Sequence, residues 1–143
     1  MFLNEEHQAR FYSAVKNIPN FEPWRTSSMD CSLYIICGDL ALWKILIEID
    51  YESSEMKWLD YFTQQVELDS QADYLLVITR MLVNRKTYTV EEFLETLQQL
   101  TEKNYELAIN ALHINVGKFD QVSTYASSPL IRKQATSNEL LDE

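Results

Sequence analysis

Glycine is scarce in this chain: only two glycines, Gly38 and Gly117, occur in 143 residues. Hairpin-rich β folds use glycine in their tight turns, and phosphate-binding loops need it for close approach of the backbone. Leucine, glutamate and glutamine are abundant instead, and these residues favour helices. The sequence therefore predicts an all-α protein and argues against β folds and dinucleotide-binding folds.

The length and the apolar content predict a single compact domain. Apolar residues make up 46% of the chain, and a chain of this length buries about 68% of its unfolded surface. A core of that size needs neither a structural metal nor disulfides. The N-terminus lacks a signal-peptide pattern, and the most apolar region, residues 33–49, is too polar to span a bilayer. We expect a cytoplasmic protein with reduced thiols, no cofactor and no membrane attachment.

Cap residues and helical spacing predict five to seven helices within residues 1–117. Asn4 is placed to cap a first helix, and Thr89 and Glu92 have the spacing of a capping box. Ser70 is expected to cap a densely apolar helix. Apolar and acidic residues alternate near residues 47–51, where one short extended segment is possible. Residues 118–143 lack periodicity and are predicted to be a tail, docked or flexible.

Two helices are predicted over residues 89–117, each with an inward face. In the first helix the expected inward residues are Phe93, Leu94, Leu97 and Leu100. In the second helix, over residues 104–116, they are Tyr105, Ile109, Leu112 and Val116, and Gly117 ends the helix.

No catalytic or metal-binding motif is found in the sequence. Cys31 and Cys37 fall on different helix faces and lack the partner ligands of a zinc site, so both are expected to be buried. His7 is predicted to belong to the first helical turn, and His113 to be partly buried between apolar neighbours. The alternative is a small hydrolase or ligand-binding protein that uses one of these histidines with a carboxylate.

The helix pair over residues 89–117 has the outline of a helix-turn-helix, but its charge argues against DNA binding. Glu91 and Glu95, like Glu102 and Glu106, are four residues apart, so each pair shares a helix face. Such pairs could act as acid and base or bind a cation, although most are solvated surface.

The net charge of −10 disfavours direct binding to nucleic acid and to anionic membranes.

Negative charge is concentrated in residues 48–73, which contain eight acidic residues and a single basic residue, Lys57. One interpretation is a solvated face above aromatic core residues. The other is an interaction surface, because opposed fields steer a basic partner and aromatic rings supply buried area. The candidate partner-binding residues are Glu48, Asp50, Glu52, Glu55, Trp58, Asp60 and Tyr61.

Residues 2–12, FLNEEHQARFY, resemble the opening of uncharacterised families of short proteins from low-GC Gram-positive bacteria and their mobile elements. The resemblance extends to SLYIICGD and to QADYLLVITRMLVN, and it covers about residues 1–117. It carries no catalytic residues. It implies a compact, mainly helical bacterial protein that is often encoded near phage or transposon genes.

Together these observations lead to the hypothesis of a non-enzymatic interaction protein of a prophage or mobile element. Its acidic surface would bind a basic protein partner, and inhibition of a host defence nuclease is the specific form that we expect. An oligomeric scaffold, joined through the leucine and aromatic stripes, is a further alternative.

Overall fold

The computed structural model of the chain describes residues 2–17, 27–48 and 68–117. These residues form six α-helices and no strand, so the all-α prediction is confirmed for this part of the chain. A 3₁₀ turn, Arg85–Thr87, follows the fourth helix. The predicted tail at residues 118–143 lies outside these ranges. The helices are α1 (Glu5–Asn17), α2 (Ser27–Gly38), α3 (Leu40–Ile47), α4 (Ser70–Val83), α5 (Val90–Gln98) and α6 (Glu102–Asn115).

Short polar side chains cap the helices, as the sequence predicts, with one shift of position. The Asn4 side chain accepts a hydrogen bond from the His7 backbone N–H at 2.8 Å, and Thr89 forms the expected capping box. The cap of α4 is Asp69 rather than Ser70, since the Asp69 carboxylate accepts from the Ala72 N–H at 2.9 Å. A carboxylate at this position also interacts favourably with the helix dipole.

The extended segment expected near residues 47–51 is not formed where the structure describes it. Ile47 is the last residue of α3, and Glu48 caps that helix through backbone hydrogen bonds to the carbonyls of Ile45 and Leu46. Helix growth is cooperative once nucleated, so α3, which starts at the Asp39 cap, continues into the alternating stretch. Residues 49–51 lie outside the described ranges.

Helix α2 is the centre of the fold and contacts α1, α3, α4 and α6. Residues 31–38 are all buried, and a helix that is apolar on every side is stable only in such a position. Cys31 and Cys37 are buried free thiols, as expected. Burial raises the pKa of the Cys31 thiol to about 11.

Helix α6 buries a face that overlaps only partly with the predicted one. Tyr105 and Val116 are about half exposed, and Ile109 and Leu112 are only partly buried. Alanine side chains allow α6 to lie close to α2, and Leu107 and Ile114 fill the remaining space. The face that enters the core is formed by Asn104, Leu107, Ala108, Ala111, Ile114 and Asn115.

Helix α5 contacts α4 and α6 and buries only part of its predicted stripe. Leu97 is buried, Phe93 and Leu100 are partly buried, and Leu94 is 51% exposed. The prediction for Leu94 is therefore wrong. Helix α5 is a surface helix with one narrow line of contact to the core.

The loop between α5 and α6 is fixed to the start of α4 by the Gln71 side chain. Its Nε2 donates to the Gln99 carbonyl at 2.8 Å. Its Oε1 accepts from the Thr101 N–H at 3.0 Å and from the Asn104 Nδ2 at 2.9 Å. One side chain therefore positions the α5–α6 helical hairpin by three hydrogen bonds.

Replacement of Gly38 by alanine is expected to destabilise the protein. A Cβ atom at residue 38 would lie 2.8 Å from Leu107 Cδ2, and Leu107 has no exposed surface. Overpacking of this kind costs about 1–3 kcal/mol. Urea unfolding of Gly38→Ala measures the loss. The double variant Gly38→Ala with Leu107→Val should lose less stability than the sum of the losses in the two single variants, because valine lacks the δ carbons that the new Cβ would contact. Strict additivity would contradict this contact.

Candidate functional site

The structure places His7 in the core, where it cannot meet a substrate. Its side chain is 1% exposed. Nδ1 accepts a hydrogen bond from the Leu3 backbone N–H at 3.1 Å, so the ring proton is on Nε2, which donates to the Tyr34 carbonyl at 2.7 Å. Burial lowers the pKa of His7 to about 4. The neutral imidazole therefore joins the N-terminal segment to α2, and its predicted position in the first turn of α1 is confirmed.

His113 is exposed on α6, so the prediction that it is partly buried is wrong. Its sequence neighbours differ from it: Ile114 is buried and Leu112 is partly buried, whereas the His113 side chain faces solvent. Within residues 2–17, 27–48 and 68–117, no three His, Cys, Asp or Glu side chains are grouped so as to hold a metal ion.

Of the seven predicted partner-binding residues, only Glu48 lies within the part of the chain that the structure describes. Glu48 is exposed at the end of α3, where a carboxylate is free to face a partner. The remaining six candidates lie outside the described residues, and their role stays a prediction. These are Asp50, Glu52, Glu55, Trp58, Asp60 and Tyr61.

A second surface, which the sequence analysis did not identify as a site, combines exposed apolar and acidic side chains on α5 and α6. We define the α5–α6 surface by four apolar and four acidic residues. Its apolar members, Val90, Leu94, Tyr105 and Val116, are 76%, 51%, 49% and 48% exposed. Its acidic members, Glu91, Glu95, Glu102 and Glu106, are all exposed, so the prediction that these pairs are solvated is confirmed.

The apolar residues of this surface line two depressions. Leu94 and Tyr105 lie in an open groove of about 470 Å³ near the α5–α6 loop, together with Leu97 and Leu100. Val90 and Val116 lie in a second recess of about 210 Å³ at the opposite end of the helices. The exposed apolar side chains therefore form the walls of concave features instead of being scattered singly.

The charge of this surface is negative. Residues 90–115 contain five glutamates and one lysine, which gives a net charge of −4. Lys103, the single cation of the two helices, is exposed. The sequence signal for this surface was present in part: the glutamates four residues apart were interpreted mainly as solvated helix surface, whereas Leu94, next to Glu95, was assigned to the inward stripe.

Comparison with protein-family models, with curated proteins and with solved structures found no match to this chain. The family resemblance of residues 1–117 therefore stays a prediction. Among the described helices, none has both the length and the hydropathy that a bilayer crossing requires.

Acidification is expected to destabilise the protein through His7. The pKa of His7 falls from 6.5 to about 4 on folding, so between these pH values the unfolded chain binds a proton that the folded chain does not. The contribution of neutral His7 to the free energy of unfolding is therefore complete above pH 6.5 and is lost as the pH falls toward 4. It amounts to about 3 kcal/mol.

The measurement is the free energy of unfolding against pH for the parent protein and for His7→Gln, in which this titration is absent. The pH dependence between 6.5 and 4 should be shallower in His7→Gln. The matched control is His113→Gln, which removes the exposed imidazole. Equal slopes in the parent and in His7→Gln would contradict a neutral, buried His7.

Proposed function

We propose that the protein is a non-enzymatic interaction module whose acidic α5–α6 surface binds a basic, amphipathic helix of a partner protein. The observation that carries this proposal is the exposure of Val90, Leu94, Tyr105 and Val116 beside the acidic members of the same surface. Exposed apolar area that is rimmed by polar residues is characteristic of interaction sites, and Leu94 and Tyr105, which line one groove, form the part of this surface that the partner helix would cover.

The apolar members supply the affinity of the proposed contact. Complete burial of one large apolar side chain is worth about 1.5–3 kcal/mol, and about half of each of Leu94 and Tyr105 remains to be covered. Tyrosine is also among the residues that dominate binding energy at protein interfaces. The groove of about 470 Å³ that these two side chains line accommodates the anchoring side chains of the partner.

The acidic members supply the selectivity. A surface with a net charge of −4, on a protein with a net charge of −10, attracts a basic partner and repels an acidic one. The same repulsion acts between two copies of the chain, which argues against the oligomeric scaffold. Glutamates at the edge of a groove bind lysine or arginine while the apolar stem of that residue lies along Leu94 or Tyr105.

The shape of the surface favours a helix as the bound segment. Two adjacent helices with a groove at their joined end provide the geometry of helix-in-groove recognition, in which anchors recur every three to four residues. A partner that carries leucine at those positions and lysine between them matches both the apolar and the acidic members of the surface.

We place this module in a prophage or mobile element and propose a host defence nuclease as its target. A nuclease must present a basic surface to its substrate, and the acidic groups here are complementary to such a surface. Residues 48–73, with Glu48 exposed at their start, are proposed as a further acidic part of the same binding function.

Charge reversal on α5 and α6 is expected to weaken binding of a basic helix. The probe is a labelled peptide of leucine and lysine with helical periodicity, about five turns long, and the readout is fluorescence anisotropy with the full chain. Glu95→Lys with Glu106→Lys should weaken binding by about tenfold or more, because two attractive contacts become repulsive.

The matched control is Glu5→Lys with Glu6→Lys, which changes the net charge equally on the exposed side of α1. A second control is a leucine and glutamate peptide of the same pattern, which should not bind. If both double variants weaken the lysine peptide equally, the contact is a general charge effect and the α5–α6 surface is rejected.

A further inference from the structure

We infer that the recess at Arg85 is a second site, which binds the carboxyl-terminal residue of a peptide chain when that residue has a large apolar side chain. The recess lies between the end of α4, the 3₁₀ turn, the start of α5 and the end of α6. It shares Val90 and Val116 with the α5–α6 surface but differs from the acidic contact at Leu94 and Tyr105, because here the recognition element is a cation.

The Arg85 side chain is held in place by a buried residue. Its Nε donates to the Asn115 Oδ1 at 2.8 Å, and its Nη2 donates to the Asn115 backbone carbonyl at 3.0 Å. Asn115 is 4% exposed, and its Nδ2 donates to the Leu82 carbonyl at 2.9 Å. A guanidinium fixed in this way loses little conformational freedom when it binds a ligand.

The charge of Arg85 is not neutralised by these contacts. Both of its acceptors on Asn115 are neutral, and among the described residues no carboxylate forms an ion pair with Arg85. N–H groups of the guanidinium remain available, in the planar fork that matches a carboxylate. Lys86, exposed on the same turn, adds positive charge. In a strongly acidic protein this is a local site for an anion.

The space beside Arg85 is apolar and limited in size. Its walls include Met81, Leu82, Phe93, Leu112 and Val116. The volume is about 210 Å³, and a cavity of about 150 Å³ accommodates benzene. The recess therefore accepts one side chain such as phenylalanine or leucine, whereas a long acyl chain would exceed it.

These two properties define the ligand class. The carboxyl-terminal residue of a peptide carries a carboxylate and an apolar side chain on the same Cα atom, so one residue satisfies both Arg85 and the apolar walls. An internal apolar residue lacks the charge, and an acidic side chain lacks the apolar group.

The test uses N-acetyl-phenylalanine and its amide as probes, with the ¹⁵N-labelled full chain observed by NMR titration. The acid should shift the resonances of Arg85, Val90 and Val116, with a dissociation constant of roughly 1 mM, which is typical of a ligand this small. The amide should bind about tenfold more weakly. Equal binding of acid and amide, or binding of neither, would overturn the inference.

Two variants locate the site. Arg85→Gln keeps an amide that can donate to Asn115 but removes the charge, and it should weaken binding of the acid about tenfold. Val90→Glu places a carboxylate at the mouth of the recess without touching the core, since Val90 is 76% exposed, and it should have the same effect. The matched control, Leu40→Glu, changes an exposed apolar residue at the first position of α3 and should leave binding unchanged.

Octanoate separates the two sources of an apolar carboxylate. Octanoate that binds more tightly than N-acetyl-phenylalanine would overturn the peptide assignment in favour of an acyl ligand. Glu95→Lys with Glu106→Lys should leave binding of N-acetyl-phenylalanine intact, so a failure of the acidic surface and a failure of this site can be distinguished.

Discussion

The described structure depends on the way in which Tyr34 joins three helices. Its side chain has no exposed surface, and its hydroxyl accepts a hydrogen bond from Asn110 Nδ2 on α6 at 3.0 Å. Its backbone carbonyl accepts from His7 on α1. A buried polar group left without a partner costs about 1–3 kcal/mol, so the buried imidazole of His7 favours docking of α1 on α2, and the Asn110 hydrogen bond helps to orient α6 against α2. The orientation of α6 then determines which of its residues form the α5–α6 surface.

The existence of the helices could be predicted from the sequence because their ends are local. The Asn4 cap, the capping box at Thr89, and Gly117, which has a φ of 77° just beyond α6, each depend on residues within one turn. The α4 cap differs by one residue because Asp69 and Ser70 are both good caps and only the backbone conformation decides between them. Local chemistry was sufficient for this level of structure.

The buried face of α6 could not be predicted because the helix is apolar on two sides. Large residues at Tyr105 and Val116 suggested one face, but the core uses the side with Ala108 and Ala111, whose small side chains permit close packing against α2. The buried Asn104 and Asn115 gave no apolar signal at all. Their partners are far away in sequence, so only the assembled fold shows that they are satisfied.

The candidate sites show the same division between local and distant information. Glutamates four residues apart predicted an acidic helix face, and in the structure that face is exposed. The recess at Arg85 had no sequence signal, because Arg85 and Asn115 are 30 residues apart and the walls come from three helices. Residues 48–73 had a strong charge signal, and their role as a binding surface stays a prediction.

The Gln71 contacts have a consequence for how this protein would recognise anything. Since one side chain ties the α5–α6 turn to α4 by three hydrogen bonds, the two helices are already arranged before a partner arrives. Association with a partner would then cost little conformational entropy in α5 and α6, and the bound segment would be the component that becomes ordered. In the proposed contact the α5–α6 surface is therefore a rigid receptor, and discrimination between partners would depend on how readily each of them adopts a complementary shape.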